Sequence, residues 1–170
     1  MITKIYIDMD GVLADFDRGA YELCGVPRPE PGKSRTKAND DLMWERIRTV
    51  EHFYDKLEPM AGAVEMFNKL WEQFGGRVEI LTGIPKPKRG ITTAGEDKTN
   101  WAHRILNPDL KVNIVYRAEK PMFCQGKDHI LIDDMKINIK EWEACGGTGI
   151  IFENPEKTLA LIEQLQKIEG

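Results

Sequence analysis

The sequence has too few cysteines to build a disulfide framework. Cys24, Cys124 and Cys145 are an odd number of thiols without a CxxC pair, a pattern typical of buried, reduced cysteines inside a cell. The residues before Asp8 also lack the apolar segment of a secretory signal. We therefore expect a cytoplasmic protein.

Long apolar runs and a strong charge excess are absent as well. The longest apolar stretches are strand-sized, far short of the roughly 20 residues that a membrane-spanning helix needs. The net charge of −4 disfavours polynucleotides and acidic membranes as partners. The chain nevertheless has 170 residues, 41% of them hydrophobic, which suits one globular domain with a small insertion.

Strand and helix signals alternate along the chain, which predicts an α/β protein with a parallel sheet covered by helices on both faces. Asn154 and Pro155 are typical of a helix start, and we expect the helix that follows to pack Leu161, Leu165 and Ile168. Five short segments rich in Ile, Val and Leu have the composition of buried parallel strands. They are residues 3–8, 77–82, 112–116, 130–133 and 149–152.

One long segment interrupts this alternation. After Phe16 come a helix signal, a polar loop over 27–40 and a second helix signal near 42–50. We interpret the segment as a helical cap inserted after the first strand. The predicted division of the single domain 1–170 is a core of residues 1–16 and 60–170 with a cap of about 17–59. Residues 84–97 follow the second strand, where α/β proteins place binding loops.

The first strand ends in two aspartates, Asp8 and Asp10, followed by Gly11. A turn eased by the glycine can bring both carboxyl groups around one small site, and close like charges require a cation. Asp8, at the strand end, is the candidate nucleophile. Asp10 is the candidate general acid and general base. The competing interpretation is a solvated acidic turn.

Three more strand-end features support this chemistry. The Thr82 hydroxyl, with backbone N–H groups at Gly83, can hold a phosphoryl oxygen, although such a pair is also common in simple turns. Lys120 can neutralise charge on a transferred group, although it can also be an isolated surface lysine. Asp133 and Asp134 offer the hard oxygen ligands that suit Mg²⁺, or they cap a helix.

Together these features resemble the haloacid dehalogenase superfamily. The match lies in DMDGVLADF (residues 8–16), Thr82, Lys120 and the pair in ILIDD (130–134). The chain is similar more narrowly to the 5′(3′)-deoxyribonucleotidase family, through LEPMAGAVE, EDKTNWAHRILNPD and NIKEWEACGGTGIIF. This resemblance covers nearly the whole chain. It implies a Rossmann-like, five-stranded parallel sheet in the order 3-2-1-4-5, flanked by helices, with a small helical cap.

The resemblance also implies roles for the acidic residues. Asp8 would attack phosphorus and become an aspartyl phosphate. Asp10 would protonate the leaving oxygen and then activate the water that breaks this intermediate. Mg²⁺ would bind the carboxylates of Asp8 and Asp133 and the backbone carbonyl of Asp10, with Asp134 supporting the site from behind.

The phosphate and base contacts follow from the same resemblance. Phe16 matches an aromatic residue that flanks the base, and other cap aromatics could stack on a base or form a small cap core. The residues that would hold phosphoryl oxygens are Thr82, Gly83, Lys86 and Lys120.

The chain departs from the family pattern in two places. The segment between Lys120 and Asp133 is longer than in the animal enzymes, so Lys127 remains an alternative to Lys120. The loop after Thr82 and the cap sequence also differ, and substrate choice depends on both.

The sequence therefore predicts a Mg²⁺-dependent phosphomonoester hydrolase acting on (deoxy)nucleoside monophosphates. One alternative is the same chemistry on another small phosphate ester. The other is a receiver-like module that is only phosphorylated on aspartate, but that interpretation does not account for the cap or for Asp10. The expected partner is a small phosphorylated molecule, and a homodimer stays open.

Overall fold

The structure, a computed structural model, describes residues 1–169. Its sheet is entirely parallel, with the order β3-β2-β1-β4-β5, which confirms the predicted topology. The strand bounds differ from the predicted ones by at most one residue at either end. The strands are β1 Lys4–Ile7, β2 Val78–Gly83, β3 Lys111–Val115, β4 His129–Asp133 and β5 Thr148–Ile151.

Helices connect and flank these strands. The second helix starts earlier than predicted because the Thr36 hydroxyl accepts a hydrogen bond from the Asn39 N–H at 3.2 Å. A fourth helix begins within the stretch that was expected to be a loop. The helices are α1 Phe16–Cys24, α2 Lys37–Arg48, α3 Ala63–Phe74, α4 Ala94–Ile105, α5 Lys136–Ala144 and α6 Pro155–Glu169.

The last helix has the predicted start but a different inward face. The Asn154 side chain accepts the Lys157 N–H at 2.8 Å, so it caps α6 as expected. Leu161 and Ile168 are exposed, whereas Ile162 is buried in the core. The expected packing was therefore wrong at two of three positions, because Ile162 and not Leu161 faces the core, while Leu165 packs against it as expected.

The central strand is buried on both of its faces. Ile5 and Ile7 point into a large hydrophobic core, while Tyr6 on the opposite face packs edge-on against Trp142, with ring centroids 5.5 Å apart. The large core also contains Met43 from α2 and Phe53 from the segment that follows it. The helices inserted after β1 therefore share one continuous core with the sheet. The exact cap limits, 17–59, stay a prediction.

Helix α4 holds the last part of the inserted segment to the core. Three of its residues, on one helical face, contact residues 52–57. The buried Asp97 carboxylate lies 2.7 Å from Nδ1 of His52. The other two contacts are hydrogen bonds from Trp101 Nε1 to the Leu57 carbonyl and from Arg104 Nη2 to Asp55 Oδ1, at 2.7 and 2.8 Å.

The cysteines are free thiols, but they are not buried as expected. Cys145 is exposed and Cys24 and Cys124 are half-buried, because Cys24 and Cys145 lie at helix ends near the surface. Within residues 1–169, the helices are too short or too polar to cross a membrane.

Candidate active site

A cavity of about 680 Å³ opens at the carboxyl ends of the strands, the edge where parallel α/β sheets bind ligands. Thr82 and Asp133 are fully buried at the ends of β2 and β4. Asp133 is hydrogen-bonded to Lys120, and Thr82 is linked through Lys98 to Asp10; both Lys120 and Asp10 line the cavity. The structure thus brings the predicted residues of separate motifs together at one edge. The other predicted site residues line the cavity themselves: Asp8, Asp10, Phe16, Gly83, Lys86, Lys120 and Asp134.

A tight turn after β1 sets the positions of Asp8 and Asp10. The Asp8 N–H still donates to the Ile132 carbonyl of β4 at 3.0 Å, after which the Met9 carbonyl accepts three successive N–H groups. Gly11 has φ +81°, and a Cβ there would lie 2.1 Å from Asp134 Oδ2. Glycine is required because it permits this φ and because Asp134 occupies the space.

Lys120 lies between two carboxylates of the site. Its Nζ is 3.1 Å from Asp8 Oδ1 and 2.7 Å from Asp133 Oδ2. Asp133 Oδ2 also accepts from Asn138 Nδ2 at 3.0 Å. These hydrogen bonds fix the Asp133 carboxylate and leave the second oxygen of Asp8 directed to other ligands.

Lys127, the alternative to Lys120, lies elsewhere. Its side chain is exposed and does not line the cavity. Only its backbone carbonyl is used, as the acceptor of the Thr148 hydroxyl at 2.6 Å. Of the two lysines, Lys120 alone lies within hydrogen-bond distance of Asp8.

The crowding of carboxylates perturbs their proton affinities. Burial, reinforced by Asp133 and Asp10 and opposed by Lys120, raises the pKa of Asp8 to about 6. The pKa of Asp134 is raised to about 8, first by burial of its carboxyl group and then by Asp8 and Asp133. Asp134 is exposed as a residue, but its carboxyl group turns inward against Gly11.

Lys120 responds to the same charges in the opposite direction. Burial by itself lowers the pKa of the amine, but the carboxylates of Asp8 and Asp133 raise it further than burial lowers it. Lys120 therefore stays positively charged and partly compensates the acidic cluster.

The acidic cluster fits a divalent cation. Asp8, Asp133 and Asp134 each offer one carboxylate oxygen, and these oxygens lie within 4.8 Å of one another. Hard oxygen ligands of this kind suit Mg²⁺, and a cation would offset both the burial of these carboxylates and the repulsion between them. The family resemblance implied a position for Asp134 behind the metal ligands, whereas in the structure its carboxylate is part of the acidic cluster. The predicted ligand set, with the Asp10 carbonyl, stays a prediction.

One lysine that the structure brings into the site, Lys98, was not predicted from the sequence. Lys98 of α4 is fully buried, and its Nζ donates to Asp10 Oδ2 at 2.9 Å, Thr82 Oγ1 at 2.8 Å and the Gly83 carbonyl at 2.7 Å. All three ammonium hydrogens are thereby used. Because Thr82 Oγ1 accepts from Lys98, its own hydrogen remains free to donate to a ligand.

A signal for Lys98 was present in the helical pattern. Lys98 lies on the buried face of α4 with Ala94, Trp101 and Ala102. A lysine in such a stripe is almost never fully buried unless it is paired. Its position therefore indicates an acidic partner, although the pattern alone does not identify Asp10.

The two oxygens of Asp10 have different environments. Oδ2 accepts the hydrogen bond from Lys98, whereas Oδ1 is buried and has no hydrogen-bond partner among residues 1–169. Buried carboxylate oxygens normally have partners. An oxygen held without one, at the edge of a cavity, can hold a proton for a bound molecule.

The wall of the cavity opposite the sheet is aromatic. Phe16 lies 6.1 Å from Trp44, 5.7 Å from Phe53 and 6.1 Å from Tyr54, measured between ring centroids. Phe16, Trp44 and Tyr54 line the cavity, while Phe53 is buried behind them. The cluster forms the apolar core of the cap and also presents ring surface to a ligand.

This fold is shared with known hydrolases. Similar structures are a haloacid dehalogenase superfamily hydrolase from Ehrlichia chaffeensis (TM-score 0.61, 16% identity, covering 96% of this chain and 97% of that one) and a haloacid dehalogenase-like hydrolase from Streptococcus pneumoniae (TM-score 0.60, 13% identity, 95% and 98%). The chain thus has the haloacid dehalogenase fold, as its motifs predicted.

A narrower similarity is found in sequence. The chain is similar to the human mitochondrial 5′(3′)-deoxyribonucleotidase, with 25% identity over 150 residues that cover 77% of this chain. It spans about 61% of the length of that protein. No family profile matches the chain.

Proposed function

We propose that this protein is a Mg²⁺-dependent phosphomonoester hydrolase that acts through an aspartyl-phosphate intermediate and takes nucleoside monophosphates as substrates. The observation that carries the proposal is the pairing of two aspartates with two buried lysines. Asp8 is bonded to Lys120, and Asp10 is bonded to Lys98, at one end of one cavity.

Asp8 is the nucleophile. Its Oδ1 accepts a hydrogen bond from Lys120, so the orientation of the carboxylate is fixed and its second oxygen, Oδ2, is left for the substrate. This oxygen attacks phosphorus, and the bond between phosphorus and the leaving oxygen breaks as the Asp8–phosphorus bond forms. Lys120 and the free hydrogen of the Thr82 hydroxyl stabilise the charge on the phosphoryl oxygens. Lys86 and the backbone at Gly83 complete the phosphate contacts.

Asp10 moves the protons of both steps. Its Oδ1, which has no hydrogen-bond partner within the described residues 1–169, carries the proton that is given to the leaving oxygen. It then accepts a proton from water, which attacks phosphorus and releases Asp8 and inorganic phosphate. Lys98 holds the other oxygen of Asp10 throughout, so the carboxyl group keeps one orientation in both steps.

Asp8, Asp133 and Asp134 would hold the cation, together with the backbone carbonyl of Asp10 that the motif resemblance implies. When bound, Mg²⁺ supplies positive charge that offsets repulsion between the carboxylates and the substrate phosphate. Asn138 and Lys120 orient Asp133 for this role.

The substrate class rests on the aromatic wall and on the similarity to a deoxyribonucleotidase. Phe16, with Trp44 and Tyr54 beside it, offers ring faces on which a nucleobase can stack. Aromatic stacking of a base contributes about 1–3 kcal/mol. A small ester without an aromatic group would use the phosphate contacts only.

The test is phosphate release from nucleoside monophosphates and from small non-aromatic esters, with Mg²⁺ and with EDTA, beside the Asp8→Asn variant. We expect Mg²⁺-dependent release with higher kcat/KM for the nucleotides and no release from Asp8→Asn. Turnover by Asp8→Asn at the unmodified rate would refute the nucleophile assignment. Unchanged rates in EDTA would refute the metal requirement, and equal kcat/KM for all esters would refute the substrate class.

A further inference from the structure

The loop after β2 carries more positive charge than one phosphate requires. Lys86, Lys88 and Arg89 all line the main cavity. Arg89 is already neutralised, because its Nη1 lies 3.1 Å from Asp41 Oδ1, and its guanidinium lies 5.9 Å from the Trp44 ring centroid. Arg89 therefore ties the loop to α2, while Lys86 serves the reacting phosphate in the proposed function. Lys88 has no role in that chemistry.

Lys88 lies where two cavities adjoin. A second cavity of about 260 Å³ shares Lys88, Arg89 and Trp44 with the main one. Its remaining wall is formed by Arg48, Asp41 and Glu45 of α2. The two cavities therefore adjoin at Trp44, Lys88 and Arg89, and Asp8 does not line the smaller one.

The charges of this smaller space are not balanced within the protein. Among residues 1–169, the side chains of Lys88 and Arg48 form no ion pair or hydrogen bond, whereas Asp41 is paired with Arg89. Glu45 is the remaining acidic residue of the wall. Two unpaired cations against one unpaired carboxylate, in a chain of net charge −4, favour an anionic occupant.

We propose that the second cavity is a subsite for a second anionic group of the substrate, a phosphate or a carboxylate carried by the leaving group. Lys88 and Arg48 hold this group while the first phosphate reacts at Asp8. The inference rests on the proposed function and extends its substrate class from nucleoside monophosphates to esters whose leaving group carries a second anionic group. The substrate spans the aromatic wall. Its reacting phosphate lies at Asp8, and the second anionic group, on the leaving group, lies at Lys88 and Arg48.

The experiment uses two matched substrate pairs: a nucleoside 5′-monophosphate with its 3′,5′-bisphosphate, and a hexose monophosphate with its bisphosphate. The quantity measured is the ratio of kcat/KM for the doubly phosphorylated to the singly phosphorylated member. We expect the unmodified protein to prefer the doubly phosphorylated member in at least one pair. Losing one charged contact should lower that ratio about tenfold.

Lys88→Ala and Arg48→Ala should each lower the ratio, and Lys88→Arg should restore it. Lys140→Ala, which removes an exposed lysine of α5 outside both cavities, is the matched control and should leave the ratio unchanged. A ratio near one in both pairs, or an equal ratio in Lys88→Ala and the unmodified protein, would overturn the proposal. Failure of the proposed function is distinct, because it is measured with Asp8→Asn and with EDTA, and neither result depends on this ratio.

Discussion

Lys98 reaches from the buried face of α4 to Asp10, with Nζ 2.9 Å from Oδ2, and the same nitrogen holds the Thr82 hydroxyl at 2.8 Å. One lysine therefore links Asp10, after β1, to Thr82, at the end of β2, although the two residues are more than seventy positions apart in the sequence. Its ring neighbour is Tyr54 of the inserted segment, whose centroid lies 4.7 Å from Nζ. The Lys98 amine therefore contacts the sheet through Thr82, the inserted segment through Tyr54, and the proposed acid/base residue Asp10.

Replacing Lys98 should damage catalysis more than binding. Lys98→Met keeps the apolar volume but removes the donor that orients Asp10 and Thr82, so we expect kcat to fall by about 100-fold with a smaller change in KM. Steady-state kinetics with a nucleoside monophosphate measure both values, and thermal unfolding checks that the variant is folded. Lys69→Met, at an exposed position of α3, is the control. A folded Lys98→Met protein with unmodified kcat would contradict the positioning role.

Replacing Lys120 and replacing Lys127, its alternative as the phosphate-binding lysine, should have very different effects on activity and stability. Lys120→Ala leaves the buried carboxylates of Asp8 and Asp133 without their cation, so we expect kcat to fall at least 100-fold. Breaking such a buried pair should also lower the free energy of unfolding by about 3 kcal/mol in EDTA. Urea denaturation with EDTA and with Mg²⁺ measures this loss, which the metal should partly restore. Lys127→Ala should match the unmodified protein in both assays, and damage confined to Lys127→Ala would show that the assignment is wrong.

Gly11→Ala should weaken metal binding. The new Cβ would lie 2.1 Å from Asp134 Oδ2, so the carboxylate must move out of the acidic cluster, and we expect the Mg²⁺ concentration for half-maximal activity to rise. The left-handed backbone adds about 1 kcal/mol of strain. Gly32→Ala is the matched control, because Gly32 has φ +77° and no atom within 4 Å of its added Cβ. Gly32→Ala should lose stability without any change in metal dependence. Equal metal dependence in both variants would show that the close approach of position 11 to Asp134 does not affect metal binding.

The contact between His52 and Asp97 should make stability depend on pH. The hydrogen bond and charge of Asp97 raise the pKa of His52 in the folded protein above its ordinary value. The resulting stabilisation is fully present below the unfolded pKa of about 6.5 and is lost as the pH rises through the higher folded value. We expect the unmodified protein to exceed His52→Asn in free energy of unfolding by more at pH 5.5 than at pH 8.5.

Asparagine is chosen at position 52 because it tolerates the left-handed backbone, where His52 has φ +53°. Asp97→Asn should remove the same pH dependence from the opposite partner. If the difference between unmodified protein and His52→Asn were constant across this range, the His52–Asp97 contact would carry no charge-dependent stability.

Much of the fold was predictable because its signals are local. The five strands were recognisable as short apolar segments between polar boundaries, and the start of α6 as an Asn–Pro pair. Asp8, Thr82 and Asp133 were assigned to strand ends, and the carboxyl ends of parallel strands necessarily meet at one edge of the sheet. The strand order came from the motif resemblance and is confirmed.

The rest of the candidate site depends on contacts between residues far apart in the sequence. Lys98 gave only the signal of a lysine on an apolar helix face, and its partners follow from how α4 packs against β3 and residues 53–56. Asp134 was expected behind the site because the family resemblance implied that position. After β4 the chain is no longer extended, so Asp134 can turn toward Gly11.

The sequence by itself determined the residue types and their spacing: a strand ending in Asp8, a turn that needs Gly11, and a second acidic pair at residues 133 and 134. Only the tertiary structure decided which cation serves which carboxylate. It brings Lys120 between Asp8 and Asp133 and leaves Lys127 outside the cavity. The physical reason is that ion pairing depends on distances of a few ångströms between side chains, and packing of the helices against the sheet sets those distances.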